Sequence, residues 1–198
     1  MNLSGVGLVA LVNELHDRMT RLIEVNNKED ILQKYRNTPI GLLLEYQNLN
    51  KTFSTYENPK MLIGMCMDNR KNLWVPDNFA YIIRSGGANL FYHEFQVSYA
   101  IGVGGVQHVA LIGHTNCEMV QLENRKEKFI NGMAANAGWE RDTAQMHFEN
   151  LSPFFEIGNT VDFLIAEAAR IRRRYPKVTV APLFYDTATN NLSQIEVE

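Results

Sequence analysis

The chain has 198 residues, the size of one domain, with 45% hydrophobic and 21% charged residues, as in ordinary globular proteins. Its net charge of −3, from 19 basic and 22 acidic residues, argues against a nucleic-acid-binding surface and against binding to an anionic membrane. The apolar run at residues 5–12 follows no Lys or Arg, precedes no small-residue cleavage site and is too short to span a bilayer. We therefore expect a cytoplasmic protein.

Two helices are predicted before residue 56. The first is amphipathic, because apolar side chains recur on one helical face. These residues are Leu8, Leu11, Leu15, Met19, Leu22 and Ile23. The second is predicted over residues 29–49, with a break near Pro39. Residues 1–56 are accordingly expected to form an N-terminal helical extension or arm, and residues 57–198 a single globular unit.

The rest of the chain alternates between strand and helix patterns. Short apolar runs at 61–66, 80–83, 109–112, 178–185 and 192–197 predict strands, and helical spacing predicts helices over 91–102, 115–129, 140–155 and 160–175. This alternation predicts an α/β fold with a mostly parallel central sheet of about five strands flanked by helices. The last strand follows a turn at 186–191 and is expected to be an antiparallel edge strand.

Both cysteines and one histidine stand where metal ligands are expected. Cys66 and His114 each end a predicted strand, and Cys117 follows His114 by three residues. In parallel sheets, ligands bind beyond the carboxyl ends of the strands. Zinc accepts Cys sulfur and His nitrogen, and three protein ligands with an open position are typical of catalytic sites. The predicted helix after Thr115 would place Cys117 in its first turn, where the helix dipole lowers a thiol pKa.

A carboxylate and a guanidinium follow the first cysteine closely. Asp68 and Arg70 are two residues apart, so in extended chain they point to the same side and can form a bidentate pair. A surface salt bridge of little energetic worth would have the same spacing. Next to a three-ligand set, we favour a carboxylate that is kept ionised beside the metal, where it could hydrogen-bond a bound water or bind the metal itself.

At these residues the chain resembles the β-class carbonic anhydrases. That family carries Cys-x-Asp-x-Arg and Gly-His-x-x-Cys, which match Cys66 to Arg70 and Gly113 to Cys117. A strand ending in Arg84-Ser85-Gly86-Gly87, a helix with Ser98-Tyr99-Ala100 and a C-terminal strand ending in Phe-Tyr-Asp are also similar to the family. The likeness covers roughly residues 60–197.

The resemblance implies a zinc enzyme that hydrates carbon dioxide reversibly to bicarbonate and a proton. One zinc per chain, held by Cys66, His114 and Cys117, would lower the pKa of a bound water to about 7. Asp68 would orient that group and help to move its proton, Arg70 would hold Asp68, and Arg84 would lie beside the ligands. In some family members the Asp instead fills the fourth zinc position. The family forms dimers or higher homo-oligomers with active sites at subunit interfaces.

Two positions depart from the family pattern. Ser85 stands where Asn is usual, and Glu118 stands where Gly is usual. Thr115 to Glu118 reads as a T-x-x-E capping box at a helix start, which would give Glu118 a structural role. Alternatively, its carboxylate changes the charge of the metal site or blocks the pocket.

Three alternatives to carbon dioxide hydration stay open. The same scaffold could hydrolyse carbonyl sulfide or carbon disulfide, whose small linear molecules are alike. The chain could also be a zinc-binding homologue with little catalysis because of Glu118. A dithiol redox protein, in which Cys66 and Cys117 form a disulfide without metal, is the most distant alternative.

Overall fold

A six-stranded sheet forms the centre of the molecule. The computed structural model of the chain describes residues 20–197. The strands are Thr20–Ile23 (β1), Met61–Cys66 (β2), Ala80–Ser85 (β3), His108–His114 (β4), Thr179–Tyr185 (β5) and Leu192–Val197 (β6). They lie in the order β1-β6-β5-β4-β2-β3. β3, β2, β4 and β5 are parallel, whereas β6 and β1 pair antiparallel. The predicted α/β class with a mostly parallel sheet is confirmed.

The antiparallel edge has one strand more than expected. The amphipathic helix predicted at the N-terminus lies outside the described residues as far as Met19, but its last two residues are visible. Leu22 and Ile23 belong to β1, where they pair with Ile195 and Gln194 of β6. The helix prediction is therefore wrong for these two residues, and β6 is the second strand from the edge.

Five α-helices lie within residues 20–197, namely Pro39–Leu49 (α1), Glu94–Gly102 (α2), Lys126–Ala137 (α3), Arg141–Phe155 (α4) and Thr160–Arg174 (α5). The helix predicted over 29–49 begins only at Pro39, and short 3-10 turns occupy 28–30 and 33–35. The reason is local, because the Thr38 side chain caps α1 and proline is suited to a first helical turn. Asn159 caps α5 in the same way.

Apolar side chains cover both faces of the sheet. Along β4, Ala110 and Ile112 face the core under α1, while Val109 and Leu111 face the core under α2 and α5. Successive strand side chains point to opposite faces, so a strand buried on both faces needs a continuous apolar run. This requirement explains why the central strands were recognisable in the sequence. None of the helices in the described part of the chain is long and apolar enough to cross a membrane.

One glycine brings α5 against the end of β4. A Cβ atom on Gly113 would lie 2.5 Å from Cγ2 of Thr160 and 2.7 Å from Cδ1 of Leu164. Real carbon atoms do not approach this closely, so a larger residue would push α5 away from the strand that ends in His114. The close packing at Gly113 thus fixes the backbone next to the candidate site.

We expect Gly113→Ala to lower the free energy of unfolding by about 1–3 kcal/mol, because the added methyl group overpacks this contact. Urea denaturation would measure the loss. Gly102→Ala is the matched control, since a Cβ there meets nothing within 4 Å. Equal stability of the two variants would contradict the close packing.

Candidate metal centre

Two neighbouring strands and the turn after one of them bring the three candidate ligands to one edge of the sheet. Cys66 is the last residue of β2 and His114 the last of β4, and these strands pair in parallel. Cys117 approaches from the turn that follows β4. The ligand atoms of the three residues all lie within 4.8 Å of one another, and all three residues are buried. The two sulfur atoms are 4.0 Å apart. The sequence prediction that these residues lie together agrees with the geometry.

The segment after His114 is a turn, so the prediction of a helix from residue 115 is wrong for residues 115–121. Asn116 has a left-handed backbone with φ of 53°. The Thr115 hydroxyl lies 2.7 Å from the Thr187 hydroxyl and accepts a hydrogen bond from the Thr187 main-chain N–H at 3.1 Å. Helix begins only with a 3-10 turn at 122–125 and then α3. No capping box forms, and Cys117 does not lie in a first helical turn.

The imidazole of His114 has one nitrogen occupied and one without a partner. Nδ1 lies 2.9 Å from the main-chain oxygen of Thr115, so it carries the proton and donates. Nε2 then presents a lone pair, yet it is buried and has no hydrogen-bond partner among the described residues. An unsatisfied buried polar atom costs about 1–3 kcal/mol. A metal ion between Nε2 and the two sulfurs would remove that cost.

The two thiols are close enough to form a hydrogen bond, with their sulfur atoms 4.0 Å apart. The pKa of Cys66 falls to about 3, chiefly because the Cys117 thiol donates a hydrogen bond to its sulfur. The Gly87 main-chain N–H adds a donor at 3.4 Å. The pKa of Cys117 rises because its proton is held by Cys66 and because the residue is buried. Metal ions bind cysteine as thiolate, so metal binding would release the protons that the two thiols carry.

The donor set fits a bound metal. Two sulfur atoms and one imidazole nitrogen, all buried, are ligands that zinc prefers, and three protein ligands leave one position open. The carboxylate oxygen Oδ2 of Asp68 lies 4.0 Å from Nε2 of His114, at the border of this group. The residues therefore fit a metal centre with a carboxylate next to the open position.

Arg70 holds the carboxylate of Asp68 from the outside. Its Nε lies 3.0 Å from both carboxylate oxygens, its Nη2 lies 2.6 Å from Oδ2, and its main-chain N–H donates to Oδ1 at 2.9 Å. The hydrogen bonds from Arg70 keep the pKa of Asp68 far below its usual range. Nη2 also donates to the main-chain oxygen of Asn116 at 2.9 Å, which ties the Asp68 loop to the turn bearing Cys117.

Two further cationic side chains, those of Arg84 and Lys71, contact main-chain oxygens of the loop that follows β2. Nη1 of Arg84 donates to the main-chain oxygens of Cys66 and Asp68, both at 3.3 Å. Nζ of Lys71 donates to the same Asp68 oxygen at 3.0 Å. Arg84 was a candidate from the sequence, whereas Lys71 was not. A lysine in a polar loop gives no sequence signal that its side chain is buried.

Glu118 lies on the wall of an open cleft. Its Oε2 pairs with Nη2 of Arg125 at 2.8 Å, and both side chains are about half exposed. The cleft has a volume of about 470 Å³, and its lining includes His114, Cys117, Glu118, Arg125, Asn159 and Phe184. The capping role proposed for Glu118 is wrong because no helix starts there. Space nevertheless remains beside the ligands, so Glu118 does not fill the cleft.

The fold that presents this site is that of the β-class carbonic anhydrases. A carbonic anhydrase from Glaciozyma antarctica superposes with a TM-score of 0.58 and 17% identity, covering 71% of this chain and 85% of that one. A β-carbonic anhydrase from Trichomonas vaginalis gives 0.57 and 14%, covering 99% and 100%. A carbonic anhydrase from Streptococcus mutans gives 0.54 and 18%, covering 83% and 99%. At these identities the likeness concerns the fold. No family model matches the chain, and no curated protein matches its sequence.

We expect about one metal ion per chain, lost in His114→Asn because Nε2 is one of three ligands. Metal analysis of the purified protein after zinc loading and gel filtration would measure the content. His108→Asn is the matched control, since His108 opens the same strand at the far end of the sheet. Metal retained by His114→Asn, or absent from the unaltered protein, would contradict the assignment.

Proposed function

We propose that this chain is a zinc enzyme that hydrates carbon dioxide reversibly to bicarbonate and a proton. The observation that carries the proposal is the unpartnered Nε2 of His114, buried among two thiols and bordered by the Asp68 carboxylate. Three buried ligands with one open position are the arrangement of a catalytic zinc rather than a structural one. The shared fold with carbonic anhydrases supports the choice of reaction.

Cys66, His114 and Cys117 would hold the zinc. Bound there, zinc would supply a Lewis acid that ionises a water molecule near neutral pH. The Thr115 carbonyl fixes the tautomer of His114 by accepting the Nδ1 proton, which leaves Nε2 free to bind the metal. The Gly87 N–H and the metal would both stabilise the charge on the Cys66 sulfur.

Asp68 would orient the attacking water by accepting a hydrogen bond from it. Because Arg70 keeps the pKa of Asp68 far below its usual range, the carboxylate is ionised at every pH at which the protein works. For the same reason Asp68 is a poor store for the released proton, which must pass on to solvent. Asp68 would accept a hydrogen bond from the water and fix the direction of its attack. Arg70 would hold Asp68 in place as its positioning residue.

The carboxylate could instead fill the open position and close the site. To do so, Asp68 would have to release the hydrogen bonds from the side chain and main chain of Arg70. The intact pair, with Oδ2 4.0 Å from Nε2, favours an accessible site.

A second candidate function, a metal-binding homologue with little turnover, follows from Glu118. Its carboxylate borders the cleft beside two of the ligands, where the family usually has glycine. The ion pair with Arg125 cancels its charge, and the cleft remains open. We therefore expect Glu118 to modify the rate and not to abolish it.

Carbon dioxide hydration should fall at least tenfold in Asp68→Asn with zinc retained, since the amide cannot replace the ionised acceptor. Stopped-flow measurement from pH 6.5 to 9 on zinc-loaded protein tests this. Asp77→Asn is the control, because it removes an exposed carboxylate farther along the same loop. Glu118→Gly should stay within about tenfold of the unaltered protein, as expected for an exposed ion pair.

Three outcomes would change the proposal. Bound zinc with no hydration of carbon dioxide in the unaltered protein or any variant would refute the proposed reaction. Turnover gained only in Glu118→Gly would establish the second candidate. Hydrolysis of carbonyl sulfide or carbon disulfide, assayed on the same preparation, in place of hydration would reassign the substrate.

We further propose that the protein is a homodimer through the outer edge of β3. β3 is the last strand of the sheet, and Ile82 on it is 48% exposed. Phe95 and Tyr99 on the neighbouring α2 are 78% and 50% exposed. Exposed edge strands and contiguous apolar side chains are typical of pairing surfaces. A second copy of the chain would cover both.

Phe95→Glu should convert a dimer to a monomer, because it places a charge in the apolar contact. Light scattering after gel filtration would give the mass. Leu22→Glu on β1, at the opposite edge of the sheet, is the control, since Leu22 is also about half exposed. Dissociation by Leu22→Glu alone would move the interface to the β1 edge, and a monomeric unaltered protein would refute it.

A further inference from the structure

Lys71 is a buried lysine beside the candidate ligands. Its residue exposure is 2%, and its Nζ donates a hydrogen bond to the main-chain oxygen of Asp68 at 3.0 Å. Lysine is almost never fully buried without a charge partner, because desolvating an ammonium group is costly. Among residues 22–196, however, no carboxylate forms an ion pair with it. The burial of a lysine next to Asp68 therefore needs an explanation.

The negative groups that act on Lys71 belong to the site. Burial lowers the pKa of Lys71, whereas the charges of Cys66, Asp68 and Cys117 raise it in opposition. Arg84 adds a like charge that lowers it further. Arg84 is an exposed residue that water can solvate, and the Asp68 charge is neutralised by Arg70. The sulfur atoms of Cys66 and Cys117 are the remaining negative groups near Lys71.

The sum of the charges on these residues indicates which ligand charge the metal-loaded site favours. In the loaded site, a divalent metal and its two thiolate ligands sum to zero. Asp68 and Arg70 also cancel. The buried ammonium group of Lys71 is then left as one uncompensated positive charge.

We propose that Lys71 is a positioning residue whose buried charge makes the metal-loaded site favour a small monovalent anion in its open position. A monovalent anion would compensate the charge left on Lys71, and the low-dielectric surroundings of this buried residue leave the attraction little screened. Bicarbonate, the anionic product of the proposed reaction, belongs to this class. The inference rests on the metal centre of the proposed function, but it does not require that carbon dioxide be the substrate.

The test compares an anionic with a neutral ligand on cobalt-substituted protein. Azide and imidazole are titrated separately into the unaltered protein, Lys71→Met and Lys71→Gln, and the visible cobalt spectrum gives each dissociation constant. Azide affinity should fall about tenfold in both variants, because each lacks the charge. Imidazole affinity should stay within about twofold. Lys177→Met, which removes an exposed lysine after α5, should change neither constant.

The two variants separate charge from structure. Lys71→Gln keeps a hydrogen-bond donor near the Asp68 carbonyl, so it serves if Lys71→Met does not fold. Unchanged azide affinity in the folded variants would overturn the proposal. A parallel loss of azide and imidazole binding would also overturn it, since Lys71 would then act by supporting the loop alone. A protein that binds cobalt and azide as expected but does not hydrate carbon dioxide would refute the proposed function and leave this inference standing.

Discussion

Parallel pairing of β2 with β4 is the constraint on which the candidate site depends. It brings the end of one strand, Cys66, next to the end of the other, His114, although 48 residues (114 − 66) separate them. No polar contact between their side chains is needed to hold this arrangement, because both strands are buried on both faces by the sheet and its helices. The stability of the core is therefore what positions the two ligands. The third ligand needs only a short turn to reach them.

The loop after β2 is held by cations on two sides. Arg70 bonds the carboxylate of Asp68, while Lys71 and Arg84 bond its main-chain oxygen. Hydrogen bonds to both the carboxylate and the main-chain oxygen leave Asp68 little freedom to move. The protein therefore sets the direction of the carboxylate before any ligand binds. Such preorganisation is what an orienting group requires, since its geometry must hold while charge moves nearby. The same hydrogen bonds account for the three basic residues that surround one aspartate.

The sequence allowed prediction of the parts of this architecture that depend on local patterns. Buried central strands read as continuous apolar runs, and the spacing of Cys66, His114 and Cys117 follows from strand ends and one turn. The turn after His114 could not be predicted, because Thr115 to Glu118 has the same pattern as a helix cap. In the structure Thr115 instead contacts Thr187, which lies 72 residues away and is not part of any local pattern. β1 was hidden for a similar reason, since Leu22 and Ile23 continue a helical spacing and only pairing with β6 makes them a strand.

Burial also decides which charged residues matter at the site. Glu118 drew attention in the sequence because it departs from a family pattern, yet it is half exposed and paired with Arg125. Water and that partner screen its charge, and exposed pairs of this kind have small energetic effects. Lys71 carries the same amount of charge but lies inside the protein, where neither water nor a carboxylate of the described residues compensates it. By the inference drawn above, Lys71, which gave no signal in the sequence, acts more strongly on the metal centre than Glu118.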